Sequence, residues 1–283
     1  NSGEAHYRLG LAKLEQRDAL EAYRALRRAS ELLPQRDEVR VKLGDVALGL
    51  YLESGLRATA LQREIKDIGE ALLQKDPNSF DGLRLLGYLA LTGKDAFTAL
   101  DLFSKAGKQK PDSVEVLMAR AQAHFLNGQF PEGEALARQS IQAQPGYLPP
   151  YTFLYDYYRT SKRPSDADAI ARQRAKNNPK DLQSQLLLAQ HFAATGNPAE
   201  LNRIVDTVLG NTADFPNARL AVGDFFRKNG QAEQALNHYR AGRQSATDRA
   251  AVSEYLRRIG DTNFLLGKYD EALAAAKEAL SGP

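Results

Sequence analysis

The chain has 283 residues, with 38 Lys and Arg against 35 Asp and Glu, a formal net charge of +3 and no cysteine. So small a surplus supplies no field for nucleic acid, and the missing cysteine excludes disulfides and thiolate metal sites. No apolar run approaches the ~18 residues of a membrane helix, and no signal-peptide pattern opens the chain, so it reads as soluble.

Pro77, Pro111, Pro145 and Pro179 stand 34 residues apart, and Pro34 precedes Pro77 by 43. A fixed period of this size marks stacked helical hairpins, each burying its apolar face only against its neighbours. The units it defines are 3–36, 37–79, 80–113, 114–147, 148–181, 182–215, 216–249 and 253–283. With each proline at repeat position 32, position 7 is apolar in most units: Leu9, Leu43, Leu86, Leu154, Leu188, Val222 and Ile259. Position 8 is small, at Gly10, Gly44, Gly87, Ala121, Ala189, Gly223 and Gly260. Position 20 is small again, at Ala22, Ala99, Gly133, Ala167, Ala235 and Ala272, with Leu201 a departure. Antiparallel helices approach closely where small residues face each other. Each unit therefore predicts helix, turn and helix, with turns such as 92–95, 127–129 and 266–268.

Along the chain, the second unit is the first departure. It is nine residues too long, yet Leu61, Ile65, Ile68 and Leu72 keep helical spacing. The extra residues read as lengthening both helices around Ser54 and Gly55, so that the hairpin protrudes; drift in a tolerant loop is the plainer alternative. In the fifth unit Tyr155 fills the small position 8, which requires a splayed hairpin or a ring turned toward the sixth unit. Ala213 and Thr247 replace the helix-ending proline in the sixth and seventh units, which loosens their boundaries by a few residues. Neither end carries the polar face of a terminal cap, so the sequence reads as a fragment of a longer chain.

Tyr7-Arg8-Leu9-Gly10, Leu86-Gly87-Tyr88-Leu89 and Tyr269-Asp270-Glu271-Ala272-Leu273 resemble the tetratricopeptide repeat, and the resemblance spans nearly the whole chain. It implies an all-α, right-handed superhelical solenoid of about eight antiparallel hairpins over 1–283, with first helices lining a concave groove. Arrays of this look are similar to bacterial envelope-associated tetratricopeptide proteins, which favours the periplasm or cell envelope over the cytoplasm.

Nothing in the sequence promises chemistry. His6, His124, His191 and His238 lie in different units, and no two share a helix at ligand spacing. No phosphate loop, His-Glu-x-x-His or nucleophile elbow occurs. The expectation is a protein without catalysis, cofactor or metal. Tyr147, Tyr151, Tyr155, Tyr157 and Tyr158 recur in one stretch, but no basic stripe accompanies them, and Tyr151 and Tyr158 occupy positions the repeat buries.

By the resemblance, positions 2, 5, 9, 12 and 13 of each first helix face the groove. The candidates are Arg84 and Met118 at position 5, Tyr88, Gln122, Asp156, Gln190 and Asp224 at position 9, and Phe125, Arg159 and Arg227 at position 12. Aromatic and Met side chains anchor recognition surfaces, and amides can meet an extended peptide backbone. Asp156 and Arg159 stand three apart and can equally pair with each other. The family's clamp for a C-terminal carboxylate needs Lys at position 5 and Asn at position 9 in adjacent units, a pattern this chain lacks. The leading expectation is a scaffold that binds a peptide segment or partner domain in the groove, with neither nucleic acid nor membrane insertion. The alternatives are a module self-associating through uncapped ends or the second hairpin, and the docking arm of a larger enzyme.

Overall fold

A computed structural model describes residues 2–53 and 59–281. Among them are sixteen α-helices and no strand. In chain order the hairpins are α1 (Gly3–Glu15) with α2 (Ala19–Leu32), α3 (Asp37–Glu53) with α4 (Thr59–Lys75), α5 (Phe80–Thr92) with α6 (Ala96–Gln109), and α7 (Val114–Leu126) with α8 (Phe130–Ala143). There follow α9 (Pro149–Thr160) with α10 (Pro164–Asn177), α11 (Leu182–Ala194) with α12 (Pro198–Gly210), α13 (Ala218–Lys228) with α14 (Ala232–Ser245), and α15 (Arg249–Leu265) with α16 (Tyr269–Ser281). The chain divides into two compact units, residues 1–154 and 155–283, with the division inside α9.

One turn design closes seven of these hairpins. Repeat position 15 is left-handed each time: Arg17, Lys94, Gly128, Lys162, Gly196, Gly230 and Gly267 have φ between 56 and 76°. The next residue then returns its N–H to a carbonyl five positions back, as in Asp95 to Ala90, Arg163 to Tyr158 and Gln231 to Phe226, at 2.8–2.9 Å. That bond satisfies a carbonyl which the helix end leaves open. The same residue caps the second helix, where Asp18, Asp95 and Asn197 accept the N–H three residues on. Three residues thus end one helix and start another.

In the long second unit α3 and α4 each run 17 residues, against 13 and 14 in α5 and α6. The Ser54-Gly55 turn lies outside the described residues. Where the prolines are missing, polar side chains set the boundaries. Asn211 Oδ1 accepts the Asp214 N–H at 3.2 Å after α12. Asp248 accepts the Ala251 N–H at 2.9 Å, so α15 starts at Arg249, four residues before the expected 253.

Residues 2–154 bury two apolar clusters, one including Leu26, Leu43, Ile65 and Leu85, the other built on Leu83, Phe103, Val116 and Ala119. In residues 155–281, Tyr158, Ile170, Phe192, Leu236 and Tyr239 are the large buried side chains. The small position is used literally at Gly223, where an added Cβ would lie 2.3 Å from Tyr239 Cε1. Tyr155 takes the second course open to it: it stays buried, and its ring meets His191 of the sixth unit edge-on with centroids 5.8 Å apart.

Candidate functional site

Among residues 2–154 the richest chemistry lies on the first helices α3, α5 and α7. Arg84 of α5 is buried, and its guanidinium meets three carboxylates. These are Asp45 on α3, Glu115 on α7 at 3.3 Å and Asp81 one turn away at 3.4 Å. Burial pushes the Arg84 pKa down, but Asp45, Glu115 and Asp81 outweigh it and hold it above the ordinary value. A guanidinium offers five N–H donors in a fork, so one cation can serve carboxylates from three helices. One positive charge among three negative leaves the group acidic.

Tyr88 stands one turn beyond Arg84. Its ring packs edge-to-face on Phe103 with centroids 5.1 Å apart. Burial and then Glu115 push its phenol pKa well above the usual range, and the same two causes raise that of Tyr147. With Leu48, Leu52 and Phe80, these groups line an open cleft of about 570 Å³. The Phe80 ring also holds a cation of its own chain: Lys110 Nζ lies 3.9 Å from its centroid.

The other expected contacts fare differently. Met118 is only 4% exposed and belongs to the core. Phe125 is half-buried between helices, its ring 5.4 Å from Phe130 and 4.6 Å from Phe153, and it fills the space a Gly133 Cβ would need. Position 12 in that unit is therefore a packing position, while His124 at position 11 bonds Gln129 at 2.9 Å. Gln122 is half-buried and outside the cleft. Arg84, expected as a free groove cation, is instead the buried hub of the carboxylates.

Among residues 155–281, Asp156 and Arg159 are both exposed; Arg159 lies over the Tyr155 ring at 5.6 Å and does not pair with Asp156. Gln190 and Asp224 line a cleft of about 300 Å³ with Leu186, Leu187, Phe225 and Lys228. Asp224 is occupied internally, accepting from Tyr239 Oη at 2.6 Å and from Arg258 Nη2 at 3.1 Å. Arg227 is half-buried and 4.0 Å from Asp224. Two of the position-9 aspartates, Asp45 and Asp224, thus bind an arginine of the following unit. Missing from the sequence-based set are Asp81, Glu115 and Tyr147. The first two occupy position 2 of adjacent units, a groove position, so the signal was present.

No three His, Asp or Glu side chains gather as a metal ligand set among the described residues. Models of the tetratricopeptide repeat match residues 98–147 and 214–282. No curated protein sequence matches the chain. Among solved structures it is similar to a thermophilic tetratricopeptide repeat protein of Thermus thermophilus, at 19% identity and a TM-score of 0.56, covering 68% of this chain and 100% of that one. It is also similar to PilW, a type IV pilus biogenesis factor, at 18% identity and a TM-score of 0.54, covering 76% of this chain and 94% of the other. PilF of Pseudomonas aeruginosa aligns at 15% identity and a TM-score of 0.52, covering 76% and 92%. These likenesses establish a shared fold.

Proposed function

We propose that this chain, a multi-repeat member of the tetratricopeptide repeat family, is a scaffold whose first-helix cleft at Asp45, Asp81 and Glu115 takes a basic side chain of an extended polypeptide. Tetratricopeptide repeats serve in general as protein-interaction scaffolds, which gives the class of function. The carrying observation is the single Arg84 shared by three carboxylates at a cleft walled by Tyr88, Tyr147 and Phe80. Asp81 and Glu115 are about a third and under a half exposed, so an incoming Lys or Arg reaches both without burying an unpaired charge. The ring faces complement its stem and charge. The half-exposed carboxylates contribute partner choice and rate of encounter more than raw affinity.

Selection of random peptides on the immobilised chain tests this reading. The selected sequences should be enriched in Lys or Arg flanked by apolar residues. Enrichment in acidic sequences, or in none, would contradict it. PilW's part in type IV pilus biogenesis is in keeping with an envelope setting, and no partner is carried over from it. No described helix is long and apolar enough to cross a membrane.

A second reading, self-association, is favoured by one observation. α15 and α16 expose Phe264, Tyr269, Leu273 and Leu280 around an apolar groove of about 760 Å³. Contiguous apolar surface of this kind marks contact sites. Concentration-dependent mass in light scattering, abolished by Leu273→Glu, would support this reading, and a constant monomer mass would remove it.

A further inference from the structure

Residues 155–281 hold a smaller cavity, of about 220 Å³, where the α9–α10 turn adjoins the end of α11. Arg159, Lys162 and Arg163 line it, and no carboxylate does. Arg163 is partly neutralised, its Nε 2.6 Å from Asp166 Oδ2. Arg159 and Lys162 are exposed and form no ion pair among the described residues. Like charges brought to one concavity repel each other unless an anion enters.

The geometry narrows the anion. Arg159 lies 5.6 Å from the Tyr155 ring centroid and Arg163 4.6 Å from that of Tyr158. A guanidinium stacked on a ring keeps its in-plane N–H donors for a planar carboxylate. The backbone N–H groups of Ser161, Lys162 and Arg163 are already bonded to Tyr157, Arg159 and Tyr158 carbonyls, so the turn forms no amide nest for a bare phosphate. The binding donors are long side chains, suited to carboxylates that arrive on a flexible chain. His191 forms the inner wall, 5% exposed, with Nε2 3.3 Å from Asp168 Oδ1 and Nδ1 3.3 Å from the Tyr155 hydroxyl. Burial lowers its pKa against the opposing pull of Asp168, and Arg172 and Arg159 lower it further.

We propose that this cavity binds acidic side chains of a polypeptide, with Arg159 and Lys162 holding the carboxylates. The site is separate from the cleft of residues 2–154 and does not rest on that reading. The probe is hexaglutamate carrying an N-terminal dansyl group, followed by its fluorescence anisotropy and by the His191 ring resonances of the intact chain. The peptide should bind and move the His191 signals, because an anion near Arg159 changes the field at the imidazole. Arg159→Gln with Lys162→Gln should weaken binding about tenfold or more, whereas Arg240→Gln, at an exposed arginine of α14, should leave it within about twofold. Glu115→Lys, in the cleft of residues 2–154, should also leave it unchanged, which separates this site from the basic-peptide cleft. Absence of binding, an equal loss from Arg240→Gln, or unmoved His191 signals would overturn the proposal. Inorganic phosphate displacing the peptide at equal concentration would overturn the acidic-peptide assignment in favour of a small-oxyanion site.

Discussion

At Gly223 the absence of a side chain is a packing requirement. An alanine Cβ there would meet the fully buried Tyr239 ring at 2.3 Å, and the hydroxyl of that ring is tied to Asp224. Gly223→Ala should therefore destabilise by about 2 kcal/mol despite alanine's better helix propensity. Gly260 holds the same repeat position, yet nothing lies closer than 3.6 Å to its virtual Cβ. Gly260→Ala should stabilise by about 0.5–1 kcal/mol. Denaturant midpoints of both variants check the contrast, and a shared sign would refute it. Tyr155 and His191 give the second residue-scale expectation. Burial lowers the pKa of His191, and also that of His238, where Arg219 adds to it. Below the ordinary histidine value of 6.5, the unfolded chain takes up protons that the folded chain refuses. Stability should thus fall as pH drops from about 6.5 toward 5, and fall less in a His191→Gln, His238→Gln variant. A melting temperature flat over that range in the parent chain would contradict this. The sequence showed that Tyr155 broke the pattern and offered two outcomes. It could not choose, because the choice depended on His191 lying opposite in the next unit.

At the scale of the element, the hairpin turn is the most regular feature and was only partly legible. In the turns 127–129 and 266–268 the left-handed residue is the glycine itself, Gly128 and Gly267. In the turn 92–95 the glycine misleads: Gly93 has an ordinary helical φ of −74°, and Lys94 takes the left-handed conformation at 62°. Hydrogen bonding fixes position 15 whatever side chain occupies it, and Arg17, Lys94 and Lys162 accept the cost of a crowded Cβ. Lys94→Gly should stabilise by about 1 kcal/mol, and Gly230→Ala, at φ 76°, should destabilise by at least about 1 kcal/mol. Chemical denaturation decides both; no gain from Lys94→Gly would mean the turn stores no such strain. Boundaries without proline were illegible for a related reason. An Asn or Asp cap moves a helix start by several residues, and such side chains are common in polar stretches.

Across the whole molecule, period and small-residue pattern made the all-α hairpin fold legible, because each unit repeats the same packing problem. The site was less so. Position numbers located the first-helix surface, but depth within it depends on neighbours: Met118 sinks into the core, Phe125 covers Gly133, and Arg84 is drawn in by three carboxylates. Arg84 joins α3, α5 and α7, so Arg84→Met should cost about 2 kcal/mol, solvent screening of the half-exposed carboxylates tempering the usual cost of a broken buried pair. A variant as stable as the parent would show that the carboxylates separate freely. On the proposed reading, Asp81 and Glu115 offer their residual negative charge to a basic polypeptide. The most direct measurement is the dissociation constant of a Lys- or Arg-bearing peptide, obtained by selection on the chain, for the parent and for Glu115→Lys, both checked for intact helicity. Binding should be weaker by about tenfold or more in Glu115→Lys, with Glu115→Gln intermediate and added salt weakening the parent's binding. An affinity unchanged within about twofold in Glu115→Lys would contradict it.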